Sequence, residues 1–235
     1  MTTTAAPRVP PILTVARYLL LDRVTYLALP WLWAAFAFGL DVVILQLVPD
    51  DHSAQRWVGG LLAAFAVVFV LGIQTVARAL PFGLALGVSR RTYFLGASAL
   101  AAGLAGCFGT VVTIGQLVER GTGGWGIRMA YFRAPGVLDG AWWQTWLTAS
   151  AAFVLVFAYG MWYGLVHRRA GLIGTVVFGA AQGVLLTLLA AVVTWTHNWL
   201  RLGHLLATSP IAAILAGLAA LLLAGGLVTV RRLQI

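Results

Sequence analysis

The sequence predicts an all-α membrane protein with six transmembrane helices and an N-terminal amphipathic helix at the membrane surface. Of its 235 residues, 61% are hydrophobic and only 9% are charged, a composition that a water-soluble globular domain does not normally tolerate. At about 20 apolar residues per crossing, this length allows about six crossings with short connections. Little of the chain is left for a soluble catalytic domain, so we expect a protein that is not an enzyme.

The charged residues and the cysteine content exclude several classes of function. All fifteen basic residues are arginine, and a chain without lysine forms neither a Walker A phosphate loop nor a Schiff base. The arginines lie at the ends of apolar segments and not on one basic face, which argues against nucleic-acid binding. Cys107 is the single cysteine, and His197 and His204 have no further ligands nearby in the sequence. We therefore predict no disulfide within the chain and no metal site.

The N-terminal region predicts two elements. Residues 1–10 are polar and contain proline, which indicates a disordered cytoplasmic tail. In residues 11–24 the polar positions recur at spacings of three and four, as on one face of an amphipathic helix that lies on the membrane surface. The polar positions are Thr14, Arg17, Tyr18 and Asp22, and the apolar positions opposite them are Leu13, Leu19 and Leu20.

Six apolar segments within residues 25–230 are each long enough to cross a membrane. If the N-terminus is inside, ten arginines fall on the cytoplasmic side and five fall outside. The positive-inside rule then places both termini in the cytoplasm, with residues 231–235 as a second cytoplasmic tail. The predicted crossings are residues 25–48, 58–79, 94–118, 145–166, 172–195 and 211–230.

A cytoplasmic loop, residues 80–93, connects the second and third crossings, and it predicts a separate short helix of about two turns. Pro81 suits the first turn of this helix and Gly87 suits its C-terminal cap, while Ser89 is a good N-cap for the following crossing. An apolar surface facing the cytosol or the lipid headgroups needs a partner. The residues that would form this surface are Phe82, Leu84 and Leu86.

Arg90 and Arg91 follow the predicted N-cap Ser89 and so lie in the first turn of the helix that leads into the third predicted crossing. The helix macrodipole disfavours cations there by roughly 0.3 to 1 kcal/mol each, so the two arginines do not serve helix stability. Positive-inside anchoring and docking onto a soluble partner both explain them, and the sequence leaves the two interpretations open.

These features together resemble the permease subunits of ABC exporters of the type-2 class, in particular the small permeases of high-GC Gram-positive bacteria. The topology matches over nearly the whole chain, and the local match is residues 80–96, where Pro-Phe-Gly is followed by Gly-Val-Ser-Arg-Arg. The resemblance implies a coupling helix at residues 81–86 that sits in a cleft of an ATPase, with a connecting helix at residues 12–22 beside it. The implied ATPase-coupling residues are Leu80, Pro81, Phe82, Gly83, Leu84, Leu86, Gly87, Ser89, Arg90 and Arg91.

The resemblance also implies the assembly and its function. We expect two copies of a nucleotide-binding ATPase subunit, which carry the ATP and Mg, and a second permease chain that is either identical or paired. The complex would lie in the bacterial plasma membrane and export an amphipathic or hydrophobic compound such as a drug, an antibiotic or a peptide. The family has re-entrant helices between its last two crossings, and residues 196–210 are long enough for them. The outer loop, residues 119–143, is longer than expected for a minimal member.

A second function also fits the sequence. In it the protein is a non-transporting membrane scaffold or assembly protein, and the cytoplasmic loop docks some other protein.

Five polar residues within the predicted crossings are candidates for a substrate path. An acidic residue at the centre of a crossing costs roughly 2.5 to 3.5 kcal/mol and usually faces a bundle interior or water. Asp41 therefore lies on a path or at a subunit contact, or else near the outer boundary, where its side chain reaches the headgroups. The resemblance adds Gln74, Thr75, Gln182 and Thr187 from the second and fifth crossings. Interhelical hydrogen bonding, at about 0.6 kcal/mol, is the alternative role for the glutamines.

Overall fold

The computed structural model of the chain describes residues 11–48, 55–199 and 210–232, and most of these residues are helical. Two five-residue π-helical stretches, Val24–Ala28 and Thr75–Ala79, each lead directly into the next α-helix. The helix Trp142–Trp195 is interrupted at Gly171, which divides it into α6 (142–170) and α7 (172–195). The other helices are α1 (Pro11–Leu19), α2 (Leu29–Leu47), α3 (Leu62–Gln74), α4 (Leu80–Ala85), α5 (Arg90–Gly121) and α8 (Ile211–Arg232).

Five helices in the described ranges are long and apolar enough to cross a membrane. This confirms the prediction of a mostly helical protein with several helices suited to a membrane. The number of crossings, the position of the termini and the membrane-surface role of α1 stay predictions. The five helices are Val24–Leu47, Leu62–Ala85, Arg90–Gly121, Trp142–Trp195 and Ile211–Val230.

Gly171 turns the chain back on itself, so that α6 and α7 form an antiparallel hairpin. Its φ of 66° and ψ of −164° belong to a region that is essentially restricted to glycine. Side chains of the two helices contact each other across this turn. His167 Nδ1 lies 3.3 Å from Thr175 Oγ1, and the Tyr163 hydroxyl lies 2.7 Å from Gln182 Oε1. A single residue therefore makes the turn.

The core lies where α3, α5 and α6 meet. The ring of Phe153 stacks between Phe65 and Phe108, with centroid distances of 4.5 and 4.8 Å. The backbones of α3 and α6 approach closely, since a methyl group at Gly72 would lie 3.0 Å from the Cα atom of Gly160. Small residues permit such close approach of helices, which supplies the packing energy that lipid cannot.

The long helix α5 separates two ends of the molecule. Its 32 residues span about 48 Å at 1.5 Å per residue. Helices α1 and α4 lie at its N-terminal end, which we call the foot end. At the other end, the loop end, two short strands pair in parallel. They are β1 (Arg56–Trp57), which follows α2, and β2 (Met129–Ala130), which follows α5.

The N-terminal helix is shorter than the prediction, and its buried face agrees with the predicted apolar face except at Leu13. Helix α1 ends at Leu19, and Asp22 lies beyond it, where its Oδ1 atom accepts a hydrogen bond from the Thr25 N–H at 3.1 Å. A carboxylate that caps the next helix breaks the predicted helix over residues 11–24. Val15 and Leu19 are buried, whereas Leu13 is exposed. The predicted apolar face is therefore wrong at Leu13.

The predicted short helix is present as α4, but no loop separates it from the preceding crossing, because the helical backbone that begins at Leu62 continues to Ala85. Pro81 near the start of α4 lacks an N–H and would clash with the preceding turn of a regular α-helix. The π-helical stretch Thr75–Ala79 widens the turn just before it, which is a common way to accommodate such a disruption. The chain thus passes from α3 to α4 without a loop.

The remaining boundaries differ by a few residues from the prediction. Helix α5 already begins at Arg90, and α6 begins at 142. Helix α8 extends through Arg232, so the predicted tail 231–235 begins within a helix. The predicted tail 1–10, residues 233–235 and most of the predicted re-entrant segment, residues 200–209, lie outside the described residues.

Candidate functional site

The sequence points to the foot, which we define as α1 together with residues 80–91. Leu80 and Gly83 are buried, and the side of α4 that carries Gly83 faces the ring of Tyr93 in α5. A Cβ atom at Gly83 would lie 2.7 Å from Cδ2 of Tyr93, so only glycine fits there without a shift. The Tyr93 hydroxyl donates a 2.8 Å hydrogen bond to the carbonyl oxygen of Thr75. Helix α4 is thereby held against α5.

Both predicted caps of this segment are confirmed. Gly87 has a φ of 81°, its N–H donates to the Leu84 carbonyl at 2.9 Å, and the Val88 N–H donates to the Gly83 carbonyl at 3.1 Å. This is the Schellman arrangement that ends many helices. Ser89 then accepts a hydrogen bond from the Thr92 N–H at 3.1 Å and begins α5. The chain between α4 and α5 is therefore fixed at both ends.

The foot presents an apolar surface, formed by Phe82 and Leu86. Their side chains are 55% and 64% exposed, whereas Leu84 is partly buried and packs against the core. The Phe82 ring stacks on the ring of Tyr18 with centroids 6.0 Å apart and planes 10° apart. The sequence places Tyr18 only on the polar face of α1, and the structure adds that it joins α1 to α4.

Four arginines lie within a few residues of the helices that form this apolar surface. Arg17, Arg78 and Arg91 are exposed, and Arg90 is half-buried. Thr14 and Asp22 are exposed as well. An exposed apolar patch with a polar rim is suited to contact with another macromolecule. The foot thus has the form of a docking element.

Thr75 lies at the centre of a buried hydrogen-bond network that joins three helical segments. Its hydroxyl donates to the Leu71 carbonyl at 2.8 Å and lies 2.9 Å from the Tyr26 hydroxyl, while its carbonyl accepts from Tyr93. Thr75 is fully buried. The structure therefore gives it an interhelical role, and its hydroxyl does not line an open path.

The other substrate-path candidates do not gather at one place. Gln182 accepts hydrogen bonds from Tyr159 and Tyr163, so its side chain links α7 to α6. Thr187 is exposed and donates to the Gly183 carbonyl in its own helix. Gln74 is half-buried. The predicted path residues therefore have separate surroundings.

Asp41 lies at the loop end of the molecule. A Cβ atom at Gly60 would collide with its carboxylate and would lie 2.7 Å from the ring of Tyr131. Gly60 precedes Thr75 by fifteen residues of nearly continuous helix, a distance of about 20 Å. This position agrees with the boundary interpretation of Asp41. Burial, with the charge of Asp41 adding to it, raises the pKa of Tyr131 above its usual range.

The loop end contains a second polar cluster, built around Glu119. Glu119 is fully buried at the end of α5, and its Oε2 atom accepts hydrogen bonds from the N–H groups of Tyr131 and Phe132, both at 2.9 Å, and from Trp125 Nε1 at 3.2 Å. The Tyr131 hydroxyl donates to the Ala34 carbonyl at 2.6 Å. The long outer loop is thus folded onto α5 and α2.

A charged group completes this cluster. Asp139 Oδ1 accepts a hydrogen bond from Arg133 Nε at 2.8 Å and lies 3.4 Å from a terminal nitrogen of Arg120. The hydrogen bond from Arg133, with Arg120 adding to it, lowers the pKa of Asp139 below its usual range. Neither Glu119 nor Asp139 was predicted to organise this end of the molecule. An acidic residue at a helix end before a glycine-rich loop was the available signal.

Comparison with known proteins supplies no assignment. No protein-family model matches the chain, and no curated protein or solved structure matches it. The function is therefore argued from the geometry of the foot.

Proposed function

We propose that this chain is the permease subunit of an ATP-driven exporter of the ABC type-2 class. The observation that carries the proposal is the foot, because its exposed residues Phe82 and Leu86 stand on a short helix with fixed ends. In this proposal the foot docks in a cleft of a separate ATPase subunit. The apolar side chains enter the cleft and the arginines contact its polar rim.

The proposal assigns the foot a mechanical task. A permease without a nucleotide site does uphill work only when the movement of an ATPase reaches its transmembrane helices. Such transmission needs a rigid element with two discrete positions. Helix α4 suits this task because it continues α3 without a loop and is held to α5 through Tyr93. Through Tyr18, α1 takes part in the same contact.

The rest of the assembly follows from the same proposal. The division of Trp142–Trp195 at Gly171 supports six crossings, with both termini and the foot in the cytoplasm of a bacterial cell. Two permease chains, identical or paired, associate with two ATPase subunits, and these carry the ATP and Mg. The cargo is an amphipathic or hydrophobic compound such as a drug, an antibiotic or a peptide.

The test replaces both exposed residues of the foot, Phe82→Asp and Leu86→Asp, and measures which proteins co-purify in mild detergent. We expect an ATPase subunit to accompany the wild-type chain and to be lost from the double variant, with normal membrane insertion. Val137→Asp is the control, because it places one aspartate at a half-exposed apolar position of the loop end. The control retains the ATPase.

Two outcomes contradict the proposal. Retention of the ATPase by the double variant shows that the foot is not the contact. Loss from the double variant of a protein that has no ATPase activity, with no ATPase bound to the wild type, favours the scaffold function.

A further inference from the structure

A large groove opens between α5, α6 and α8, and no residue of the foot lines it. Its volume is about 1060 Å³, at the upper end of the range of about 300 to 1,000 Å³ that is typical of ligand sites. On α8 the lining runs from Ile211 to Leu223, a rise of about 18 Å. The floor is apolar and consists mostly of small side chains, among them Ala105, Ala151, Ala216 and Ala219. The groove is therefore long and open enough for an elongated apolar group.

Uncharged polar side chains of α6 line the part of the groove nearer to the loop end. Thr148 is only 5% exposed, and its hydroxyl has no hydrogen-bond partner among the described residues, whereas the equally buried Thr113 donates to a carbonyl of its own helix. Ser150 also lines the groove with an unpartnered hydroxyl. Gln144 Oε1 accepts from the Ala141 N–H, which leaves Nε2 as a donor. Buried donors without a partner are unfavourable, so this end favours a ligand with oxygen acceptors.

The polar end of the groove does not favour a charged ligand. Among the described residues that line the groove, only Asp139 is charged. Its Oδ1 atom accepts a hydrogen bond from Arg133 Nε at 2.8 Å and lies 3.4 Å from a terminal nitrogen of Arg120. The charge of Glu119 also acts on Arg133, so two carboxylates balance these two guanidinium groups. An ion that entered the apolar groove would lose its hydration without gaining a partner.

We propose that the groove binds a neutral amphipathic compound. Its apolar part packs along the alanine-rich floor, and its ether or carbonyl oxygens accept hydrogen bonds from the Thr148 hydroxyl and from Gln144 Nε2. Lipid chains compete for the floor, so the hydrogen bonds supply the selectivity. A phospholipid fits less well, because the lining offers its charged phosphate no unpaired cation. In the proposed exporter this compound is the cargo, and only that role rests on the proposed function.

The test uses photo-crosslinking of the full-length protein in phosphatidylcholine nanodiscs, with adducts mapped by peptide mass spectrometry. Three matched probes carry the same diazirine-bearing dodecyl chain on a neutral triethylene glycol, an anionic sulfate or a cationic trimethylammonium group. Labelling of the exposed surface of α7 corrects for the amount of each probe in the membrane. We expect corrected glycol-probe adducts at residues 102–106, 151–154 and 212–223 to exceed those of both charged probes several-fold. An excess of the glycol compound without diazirine should suppress the groove adducts and not the α7 adducts.

Two pairs of variants test the polar end and the floor separately. Thr148→Val removes the hydroxyl at nearly constant volume and should lower the preference for the glycol probe several-fold. Thr145→Val is the matched control, because Thr145 is also buried without a partner but does not line the groove. Ala216→Trp fills the floor and should abolish the groove adducts, whereas Ala224→Trp, on the same helix but outside the groove, retains them. Unchanged α7 adducts and thermal unfolding midpoints report that each variant is folded and embedded.

Several results overturn the proposal. Equal corrected labelling of the groove by the three probes rules out selectivity for a neutral compound. Groove adducts that the glycol compound does not suppress show general solvation by lipid. Equal behaviour of Thr148→Val and Thr145→Val removes the polar end from recognition. Selective, suppressible adducts in a chain with which no ATPase co-purifies support the binding site and contradict only the proposed exporter.

Discussion

At the scale of single residues, the position of the foot depends on the missing side chain of Gly83. Intrinsic helix propensity favours alanine over glycine by about 1 kcal/mol. The Tyr93 ring opposes this gain, because a Cβ atom would lie 2.7 Å from it and the hydrogen bond to Thr75 prevents the ring from moving away. Overpacking in a close contact costs typically about 1 to 3 kcal/mol. The packing cost therefore exceeds the propensity gain.

The first prediction is that Gly83→Ala lowers the thermal unfolding midpoint in detergent, by the equivalent of up to about 2 kcal/mol. Gly103→Ala in α5 is the matched control, because nothing lies within 4 Å of the added methyl group. Its midpoint should stay the same or rise. Equal behaviour of the two variants would show that α4 does not rest on Tyr93.

The second prediction concerns Asp139 and pH. Because the folded-state pKa is lowered, the ion pairs with Arg133 and Arg120 contribute stability above the usual aspartate pKa of about 3.9. This contribution is lost as the pH falls through the folded-state value. The pair is partly exposed, so the effect is below about 1 kcal/mol. Hydrogen exchange of residues 131–141 should accelerate at acidic pH.

Asp139→Asn provides the control for the pH effect. It should give faster exchange in residues 131–141 already at neutral pH, and it should weaken the further acceleration in acid. The exchange of α5 near Phe108 should not respond in either protein. An unchanged pH response in Asp139→Asn would assign the effect to another group.

Residues that act through neighbours in sequence could be predicted, and those that act through distant partners could not. Gly87 and Ser89 were found because caps depend on the few residues around them. The partners Tyr26 and Tyr93 lie 49 and 18 residues away from Thr75. No local pattern links them. For the same reason, the stacking of Tyr18 on Phe82 has no signal in the sequence.

At the scale of secondary structure elements, the Thr75 network joins three parts of the foot end. It connects the π-helical stretch before α2, the π-helical stretch before α4, and the start of α5. Interhelical hydrogen bonds in membranes contribute about 0.6 kcal/mol on average and at most about 1.7 kcal/mol. Because Tyr26 and Tyr93 both bond Thr75, we expect the stability changes caused by substitutions in this network to be coupled.

The third prediction is that Tyr26→Phe and Thr75→Val each lower the thermal unfolding midpoint and that their effects are not additive. Thr75→Val leaves the buried Tyr26 hydroxyl without its partner, so this single variant should cost more than Tyr26→Phe. The double variant should cost less than the sum. Thr187→Val is the control, since that exposed hydroxyl bonds only within its own helix. Additive effects would contradict a shared network.

The boundaries of the elements show where periodicity stops being informative. Hydrophobic runs located the apolar segments, because burial in lipid needs about 20 apolar residues regardless of the fold. The same runs do not distinguish a loop from a continuing helix at Pro81, since proline is compatible with both. The groove between α5, α6 and α8 was not predicted, because alanines on three separate helices define it only once the helices are packed.

At the scale of the whole molecule, the foot and the Glu119 cluster occupy opposite ends of α5. The positive-inside rule predicts that the foot end lies in the cytoplasm. Both ends offer exposed positions for labelling, and the chain has only one native cysteine, Cys107.

The fourth prediction is therefore a labelling pattern in a Cys107→Ser background. A membrane-impermeant thiol reagent applied to intact cells should label Val137→Cys and not Leu86→Cys. After permeabilisation it should label both. Labelling of Leu86→Cys in intact cells would invert the topology and would remove the foot from the reach of a cytoplasmic ATPase.

The one-residue turn at Gly171 limits how α6 and α7 can move. A connection of several residues has slack, and two helices joined in that way can slide along each other. Here a single glycine spans less than one helical turn. Further from the turn, Tyr159 and Tyr163 of α6 donate hydrogen bonds to Gln182 of α7. Helices α6 and α7 must therefore travel as one piece. We therefore expect any displacement that α3 imparts to α6 to move the exposed face of α7 as well.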